Sequence, residues 1–312
     1  MTTAFLFPGQ GSQSLGMMDT FSGISTVKKT FEEASSIMGK DMWNLMTEGP
    51  EDQLSVTTNT QPLMLISDVS MYRVWLEFGG MAPSVLAGHS LGEYAALVAA
   101  GALEFSDAVS LVRERSQLMQ DAVPSGVGAM AAILGLNDDD IGLACRRVSV
   151  DGAVVEPANF NAPGQVVIAG EKAAVESAIE EAKKMGAKRA MLLAMKTPSH
   201  CSLIKPAAEL FLPILKETKI NTPTLTVIHN ENVTDAGTPD EIRERLYRQL
   251  FQPVRWVETV QYVTTKGVSV GVECGPGKVL TGLSKRIDKT FQMISWSSPE
   301  DIQTTIDQLS GE

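Results

Sequence analysis

A buried strand that runs directly into a glycine-flanked serine restricts the fold of this 312-residue chain more than any other feature. Residues 84–88 (SVLAG) predict the strand, and an alanine-rich helix is predicted from residue 91 to about 100. Between them, Gly88 to Gly92 matches G-x-S-x-G, a motif that holds a serine hydroxyl above the edge of an α/β sheet. The alternative is that Ser90 caps the helix beside two packing glycines.

Strands and helices alternate along most of the chain, which predicts a mainly parallel sheet covered by helices. Further buried strands are predicted at 3–7, 224–228, 268–273 and 291–296. Helices are predicted at 25–39, 60–78, 106–123, 239–251, 255–266 and 279–287, and from residue 299 onward.

The stretch 127–196 follows a different order, β-α-β-β-α-β, which is typical of a ferredoxin-like subdomain. Its strands are predicted at 128–134, 152–158, 165–169 and 188–194, its helices at 137–148 and 171–185, and a turn at 159–164. We therefore predict an α/β fold with a discontinuous core, residues 1–126 and 197–312, and an inserted subdomain, residues 127–196.

Composition excludes several classes of function. The net charge of −11 disfavours nucleic-acid binding, although one focused arginine can still attract an anionic substrate. Three cysteines without C-x-x-C spacing, and no H-E-x-x-H motif, predict neither a disulfide framework nor a metal site. The longest mostly apolar stretch, 94–103, is too short to span a bilayer. We expect a cytoplasmic protein, without a membrane anchor.

A serine nucleophile needs a base, and the chain has three histidines. His89 adjoins Ser90 and is expected to have a structural role, because neighbouring side chains diverge on such a turn. His229 ends a predicted strand, where a turn or core role is the alternative. His200 follows Ser90 in the order found in hydrolase-like folds, so composition favours it modestly.

Arg115 lies on the apolar stripe of the predicted helix 106–123, whereas Arg113 lies on its solvated face. An arginine directed inward almost never stays unpaired. It either forms an internal ion pair with an acidic residue or binds a substrate carboxylate through two parallel hydrogen bonds. Helical phase alone favours neither.

Motifs spread over the whole chain resemble those of the malonyl-CoA:acyl carrier protein transacylases of bacterial fatty acid synthesis. They are Phe7–Gln13 (FPGQGSQ), Asn59–Pro62, Gly88–Tyr94, Gln120–Pro124, Asn159–Gln165, Pro198–His200, Gln249 ahead of Pro253–Trp256, and Gly275–Leu280. Such a set in this order is highly specific. The resemblance implies a hydrolase-like parallel-sheet core with the ferredoxin-like insert.

The resemblance also implies roles for individual residues. Ser90 would be the acylated nucleophile, with His200 as its base, and Arg115 would bind the malonyl carboxylate. The backbone N–H groups of Gln10 and Leu91 would form the oxyanion hole. The backbone carbonyl of Gln249 would orient His200, and Gln61 would lie near the malonyl group.

The resemblance implies malonyl-CoA as substrate and acyl carrier protein as partner, with a monomer expected. No cofactor is expected, because the phosphopantetheine is carried by the partner. Ser199, which precedes the histidine, also occurs in methylmalonyl-selective relatives, so a methylmalonyl unit is an alternative. Ser116 stands where many relatives have glycine. The competing hypotheses for the whole chain are a serine thioesterase or esterase, and a non-catalytic docking module for the carrier protein.

Overall fold

The computed structural model describes residues 2–124, 126–150, 152–195 and 197–311. In chain order the strands are β1 (Thr3–Phe7), β2 (Val85–Gly88), β3 (Gly128–Leu134), β4 (Val155–Ala162), β5 (Gln165–Glu171), β6 (Arg189–Leu192), β7 (Thr226–Ile228), β8 (Val270–Glu273) and β9 (Gln292–Ser295). The helices are α1 (Ser25–Met38), α2 (Met42–Glu48), α3 (Glu51–Leu54), α4 (Thr57–Glu77), α5 (Gly92–Ala99), α6 (Phe105–Asp121), α7 (Asp138–Val148), α8 (Lys172–Lys184), α9 (Lys205–Glu217), α10 (Pro239–Gln249), α11 (Trp256–Thr265), α12 (Val279–Ile287) and α13 (Pro299–Ser310).

The larger sheet is parallel throughout, in the order β7-β2-β1-β8-β9. Its three central strands are fully buried and almost wholly apolar, as expected for a sheet covered on both faces. Because parallel strands end at the same edge, the segments that follow β1, β2 and β7 lie side by side. Ligands bind at this carboxyl edge in open α/β sheets. The predicted parallel core is confirmed.

The smaller sheet is antiparallel, in the order β4-β5-β3-β6, and all its strands lie between residues 128 and 192. Alternate residues of its strands face opposite sides. Ala131, Ile133 and Ile168 pack against α7 and α8, whereas Met130 and Val167 pack against Cys201 of the core. This arrangement confirms the inserted ferredoxin-like subdomain.

The predicted turn at 159–164 is wrong, because β4 continues to Ala162 and only Pro163 and Gly164 form the turn. Asn and Pro side chains favoured a turn in the sequence. They are tolerated because β4 is an edge strand with two register shifts. Its outer side contacts the core: the amide of Phe160 donates to the carbonyl of Val254 at 2.9 Å.

Helix α9 was not predicted, and it contains two prolines. Pro206 lies in the first turn, where no intrahelical amide partner is needed. Pro213 lies in the interior, and the helix persists because Phe211 and Leu215 are fully buried in the core. The short helices α2 and α3 also escaped prediction. The predicted domain boundary at Lys196 lies outside the described residues.

Candidate active site

The turn after β2 places Ser90 in a strained conformation, with a φ of +52°. Such a value is uncommon for a residue other than glycine and is often found at active sites. The flanking glycines are required by close packing: a Cβ at Gly88 would lie 1.9 Å from the carbonyl carbon of Gly92, and one at Gly92 would lie 2.1 Å from the carbonyl oxygen of Phe7. The sequence thus provides the space that the turn needs.

His200 is the histidine that meets this serine. Its Nε2 lies 2.7 Å from Ser90 Oγ, and its Nδ1 donates to the backbone carbonyl of Gln249 at 2.7 Å. His200 also has a positive φ, +63°, and its amide donates to the carbonyl of Leu250 at 3.0 Å. Two hydrogen bonds to backbone carbonyls, one from the ring and one from the His200 amide, therefore orient Nε2 toward Ser90.

Burial and, next, the positive charge of Arg115 lower the pKa of His200 to about 3. The imidazole is therefore neutral near pH 7. With its proton held on Nδ1 by the Gln249 carbonyl, Nε2 has a free lone pair for the Ser90 hydroxyl proton. This is the protonation state that a general base requires.

Arg115 projects inward from α6 and is 1% exposed. Its guanidinium donates to the side-chain oxygen of Gln61, to that of Gln249 at 3.0 Å, and to Ser90 Oγ at 3.2 Å. All three partners are neutral. Within the described parts of the chain, Arg115 forms no ion pair with a carboxylate. Of the two alternatives that helical phase left open, the geometry favours a site for an external carboxylate.

The amides of Gln10 and Leu91 lie in the loops that follow the neighbouring strands β1 and β2. Both residues line the same cavity as Ser90 and His200. A Cβ at Gly9 would lie 2.4 Å from the carbonyl oxygen of His89, so the two loops are in direct contact. Among the described residues neither amide donates to a protein acceptor. Both are therefore available to an oxyanion beside Ser90.

The cavity measures about 50 Å³. Gln61, Arg115 and Ser199 line it, together with three methionines that sequence analysis did not single out, Met119, Met130 and Met195. So small a space suits a short acyl group.

Two other residues that sequence analysis missed support the site. The side chain of Asn230 accepts from the Ser90 amide and donates to the Gly88 carbonyl, both at 2.7 Å. Glu93, in the first turn of α5, is fully buried and contacts His229. A signal for Asn230 was present, because it is the second residue after a predicted strand of the parallel sheet. His89 meets Asn161 at 2.8 Å, and the predicted structural roles of His89 and His229 stay predictions.

In the described part of the chain, no group of three or more His, Cys, Asp or Glu residues could hold a metal ion. None of the described helices combines the length and apolar character needed to cross a membrane.

Comparison with known proteins assigns the chain to a family. Residues 4–298 match the family described as "Acyl transferase domain". The malonyl CoA-acyl carrier protein transacylase of Escherichia coli is 49% identical over 305 residues, which cover 97% of this chain and 98% of that protein. The corresponding structure from Coxiella burnetii has a TM-score of 0.97 and 46% identity, covering 99% of this chain and 98% of that one.

A third relative is a malonyl-transacylase solved in complex with a type II PKS acyl-carrier protein. It has a TM-score of 0.97 and 48% identity, and the match covers 99% of this chain and 100% of that one. Identity at this level over nearly the full length of each protein leaves no large region of the chain unmatched. The chain therefore belongs to the malonyl CoA-acyl carrier protein transacylases of the acyl transferase family.

Proposed function

We propose that Ser90 carries the malonyl group as an ester while this enzyme transfers it from malonyl-CoA to the phosphopantetheine thiol of acyl carrier protein. The chain is an acyl-carrier-protein S-malonyltransferase of fatty acid synthesis. One observation carries the assignment of residues: Ser90 Oγ lies 2.7 Å from a neutral His200 Nε2 and 3.2 Å from the Arg115 guanidinium. A base and a carboxylate-binding cation thus meet at one hydroxyl.

In the first half of the reaction, His200 Nε2 accepts the Ser90 proton as Oγ attacks the thioester carbonyl. The oxyanion accepts hydrogen bonds from the Gln10 and Leu91 amides, and each such donor is typically worth about 10²–10³ in rate. Collapse of the intermediate breaks the carbon–sulfur bond, and the departing CoA thiolate takes the proton from His200. The product is a malonyl ester of Ser90.

The second half runs the same steps in reverse. His200 accepts the proton of the phosphopantetheine thiol, the sulfur attacks the ester carbonyl, and Ser90 Oγ leaves with the proton returned by His200. Arg115 and Gln61 hold the malonyl carboxylate and carbonyl in place through both halves. The small cavity limits the water that competes with the thiol.

The histidine orienter distinguishes this site from that of an ordinary serine hydrolase. His200 Nδ1 donates to the Gln249 carbonyl, where many hydrolases place an Asp or Glu. A neutral orienter stabilises the imidazolium less. The proposed acyl unit is malonyl, and methylmalonyl is the alternative that Ser199 leaves open.

We further propose that residues 1–126 with 197–312 form the catalytic core and 127–196 a separate subdomain. We also propose that the enzyme acts as a monomer, because one chain supplies Ser90, His200, Arg115 and both oxyanion amides. A reducing compartment, the cytoplasm, suits its three free thiols. Sedimentation of the purified enzyme measures the oligomeric state directly.

The intact mass of the protein after incubation with malonyl-CoA tests the proposed function. We expect a single malonyl adduct that disappears when carrier protein with its phosphopantetheine is added. Ser90→Ala should abolish the adduct, and Ser199→Ala, which removes the other cavity hydroxyl, should retain it. An adduct on Ser90→Ala would refute the nucleophile, and loss of malonyl to water without carrier protein would indicate a thioesterase.

A further inference from the structure

A buried carboxylate lies directly behind the catalytic residues. Glu93 is completely buried. Its two oxygens receive three N–H donors: His229 Nδ1, the backbone amide of Asn230 at 3.1 Å, and Gln249 Nε2 at 2.8 Å. None of these contacts requires a proton on Glu93. Both oxygens of Glu93 are therefore placed to act as hydrogen-bond acceptors.

This carboxylate determines which way the Gln249 side-chain amide points. Gln249 Nε2 donates to Glu93 and also to the backbone carbonyl of Ser90 at 2.9 Å. Gln249 Oε1 consequently faces Arg115, whose NH2 group donates to it at 3.0 Å. If the amide were flipped, its NH₂ group would face the donors of the guanidinium. Glu93 therefore keeps an acceptor in front of Arg115.

The same carboxylate holds the serine turn through a second amide. Asn230, whose backbone donates to Glu93, uses its side chain to accept from the Ser90 amide and to donate to the Gly88 carbonyl. Ser90 is in a left-handed conformation that is unfavourable for a residue with a side chain and persists only where the surroundings enforce it. Glu93 thus contacts Asn230 and Gln249, the two residues whose side chains bind the backbone of Ser90.

Arg115 needs such an arrangement because it is a buried cation without a direct acidic partner. An ion pair within the protein would occupy the donors that a substrate carboxylate needs, whereas complete absence of negative charge would make burial costly. Glu93 supplies a negative charge on the far side of Gln249, so Arg115 has only neutral hydrogen-bond partners and no carboxylate bound to it directly.

We propose that Glu93 is a positioning residue for acyl-group selection: through the side chain of Gln249 it holds Arg115 ready for the malonyl carboxylate. The inference rests on the proposed function and deepens it. It also gives Gln249 two separable roles. Its backbone carbonyl orients His200, and its side chain orients Arg115.

The test is the ratio of single-turnover acylation rates of Ser90 with malonyl-CoA and with acetyl-CoA. Glu93→Gln keeps the shape of the side chain but adds an NH₂ donor, so the Gln249 amide loses its enforced orientation. We expect the malonyl-to-acetyl ratio to fall at least tenfold. Glu273→Gln is the matched control, because Glu273 is a buried carboxylate that accepts from the Leu280 and Thr281 amides and has no contact with Arg115. Its ratio should match the parent enzyme.

An unchanged malonyl-to-acetyl ratio in Glu93→Gln would overturn the proposal, whether or not both acylation rates fall. If Glu93→Gln fails to fold, Gln249→Leu is the alternative variant, because it removes the side-chain amide between Glu93 and Arg115 and keeps the backbone carbonyl that accepts from His200. We expect its malonyl-to-acetyl ratio to fall in the same way. In an Arg115→Ala background neither substitution should lower the ratio further, since the group they position is gone. A further drop there would also contradict the proposal.

The parent enzyme and Arg115→Ala separate this proposal from the proposed function. If the parent enzyme forms no malonyl ester, the proposed function fails. If the parent forms it with a preference that depends on Arg115, and Glu93→Gln and Gln249→Leu both keep that preference, only the role of Glu93 fails.

Discussion

The two walls of the catalytic cavity are built in different ways. On the core wall, Ser90, His200 and Arg115 each have hydrogen-bond partners at fixed distances, and all of these partners belong to the core. On the wall contributed by the insert, Met130 and Met195 pack against Cys201. The core wall is defined by directional bonds, whereas the insert contributes two flexible thioether side chains beside Asn159.

This difference suggests that the core wall carries out proton transfer and that the insert wall accommodates the shape of the substrate. Proton transfer needs atoms held within hydrogen-bond reach, which the core wall provides through its network. An acyl group and a long phosphopantetheine arm need a surface that accommodates changing shapes, and methionines provide it. We therefore expect substitutions on the core wall to change rates and charge selection strongly, and those on the insert to act on fit and docking with smaller effects.

The largest effect is expected at His200. General-base catalysis typically contributes about 10²–10⁴-fold, so His200→Ala should lower the single-turnover acylation rate with malonyl-CoA by that factor. Met130→Leu is the comparison on the insert wall, a volume-conserving change that should cost less than about tenfold. Rapid-quench measurement of malonyl-Ser90 formation gives both numbers. A comparable loss in the two variants would break the division between the walls.

The next largest effect is expected at Arg115. A hydrogen bond to a charged group is worth about 1.5–3 kcal/mol, so Arg115→Ala should slow malonyl transfer by at least about tenfold. Acetyl transfer should suffer much less, because acetyl has no carboxylate to bind. Steady-state kcat/KM for both acyl-CoA substrates measures the contrast. If both fell equally, Arg115 would be a structural part of the core wall.

Local patterns in the sequence predicted much of the core wall. The strand–turn–helix around Ser90 has a steric requirement for glycine that is visible as a motif, and the inward phase of Arg115 follows from the apolar stripe of α6. Strand β3 and helix α12 were predicted with the bounds that the structure has. The family resemblance supplied Gln61 and Gln249 by their positions, which no local pattern could have done.

The supports behind the site could not be predicted, because they join distant segments. Glu93, Asn230 and Gln249 are separated by up to 156 residues and meet only when α5, the segment after β7 and α10 pack together. An acidic residue in the first turn of a helix is common for local reasons, so Glu93 carried no special signal. The bounds of β4 were also missed, because an edge strand tolerates Asn and Pro and the sequence does not show which strand lies at the edge of the sheet.

The acid limb of the pH profile gives a finer test of the core wall. Because the pKa of His200 is about 3, the base stays neutral and kcat/KM should fall only as the pH drops toward that value, far below the usual range for histidine. Arg115→Ala removes one cause of the lowering, so the pKa should rise and the acid limb should move to higher pH. Burial still acts on the ring and keeps the pKa below 6.5.

Acetyl-CoA is the substrate for that measurement, because its acyl group has no carboxyl that titrates. Circular dichroism at each pH identifies unfolding. Arg113→Ala, which removes a half-exposed arginine of the same helix, is the control and should leave the limb in place. An unmoved limb in Arg115→Ala would show that the two groups do not interact across Ser90.

The smallest effect is expected where the two regions meet at the surface. Lys188 and Arg189 of the insert and Lys285 and Arg286 of the core are exposed. Leu134 of β3 pairs with Arg189 on one side and with Gln165 on the other, and the Gln165 side chain accepts from Arg286. With strands about 4.8 Å apart, Lys188, Arg189 and Arg286 share one end of the small sheet, and Lys285 precedes Arg286 in α12. We expect this surface to attract the acidic carrier protein despite the net charge of −11.

Reversing the charges at either pair to glutamate should raise the KM for carrier protein about 2- to 10-fold and leave the KM for malonyl-CoA nearly unchanged, because exposed ion pairs contribute about 0.2–1 kcal/mol each. The matched control is the same reversal at Lys28 and Lys29, two exposed lysines of α1. Salt should shrink the effect, since the Debye length falls from about 10 Å at 0.1 M to about 3 Å at 1 M. If only the reversal at Lys188 and Arg189 raises the KM for carrier protein, docking depends on the insert alone, and the difference between core and insert extends to the surface. If neither pair matters at low salt, the carrier protein docks elsewhere, and the Ser90 chemistry is unaffected.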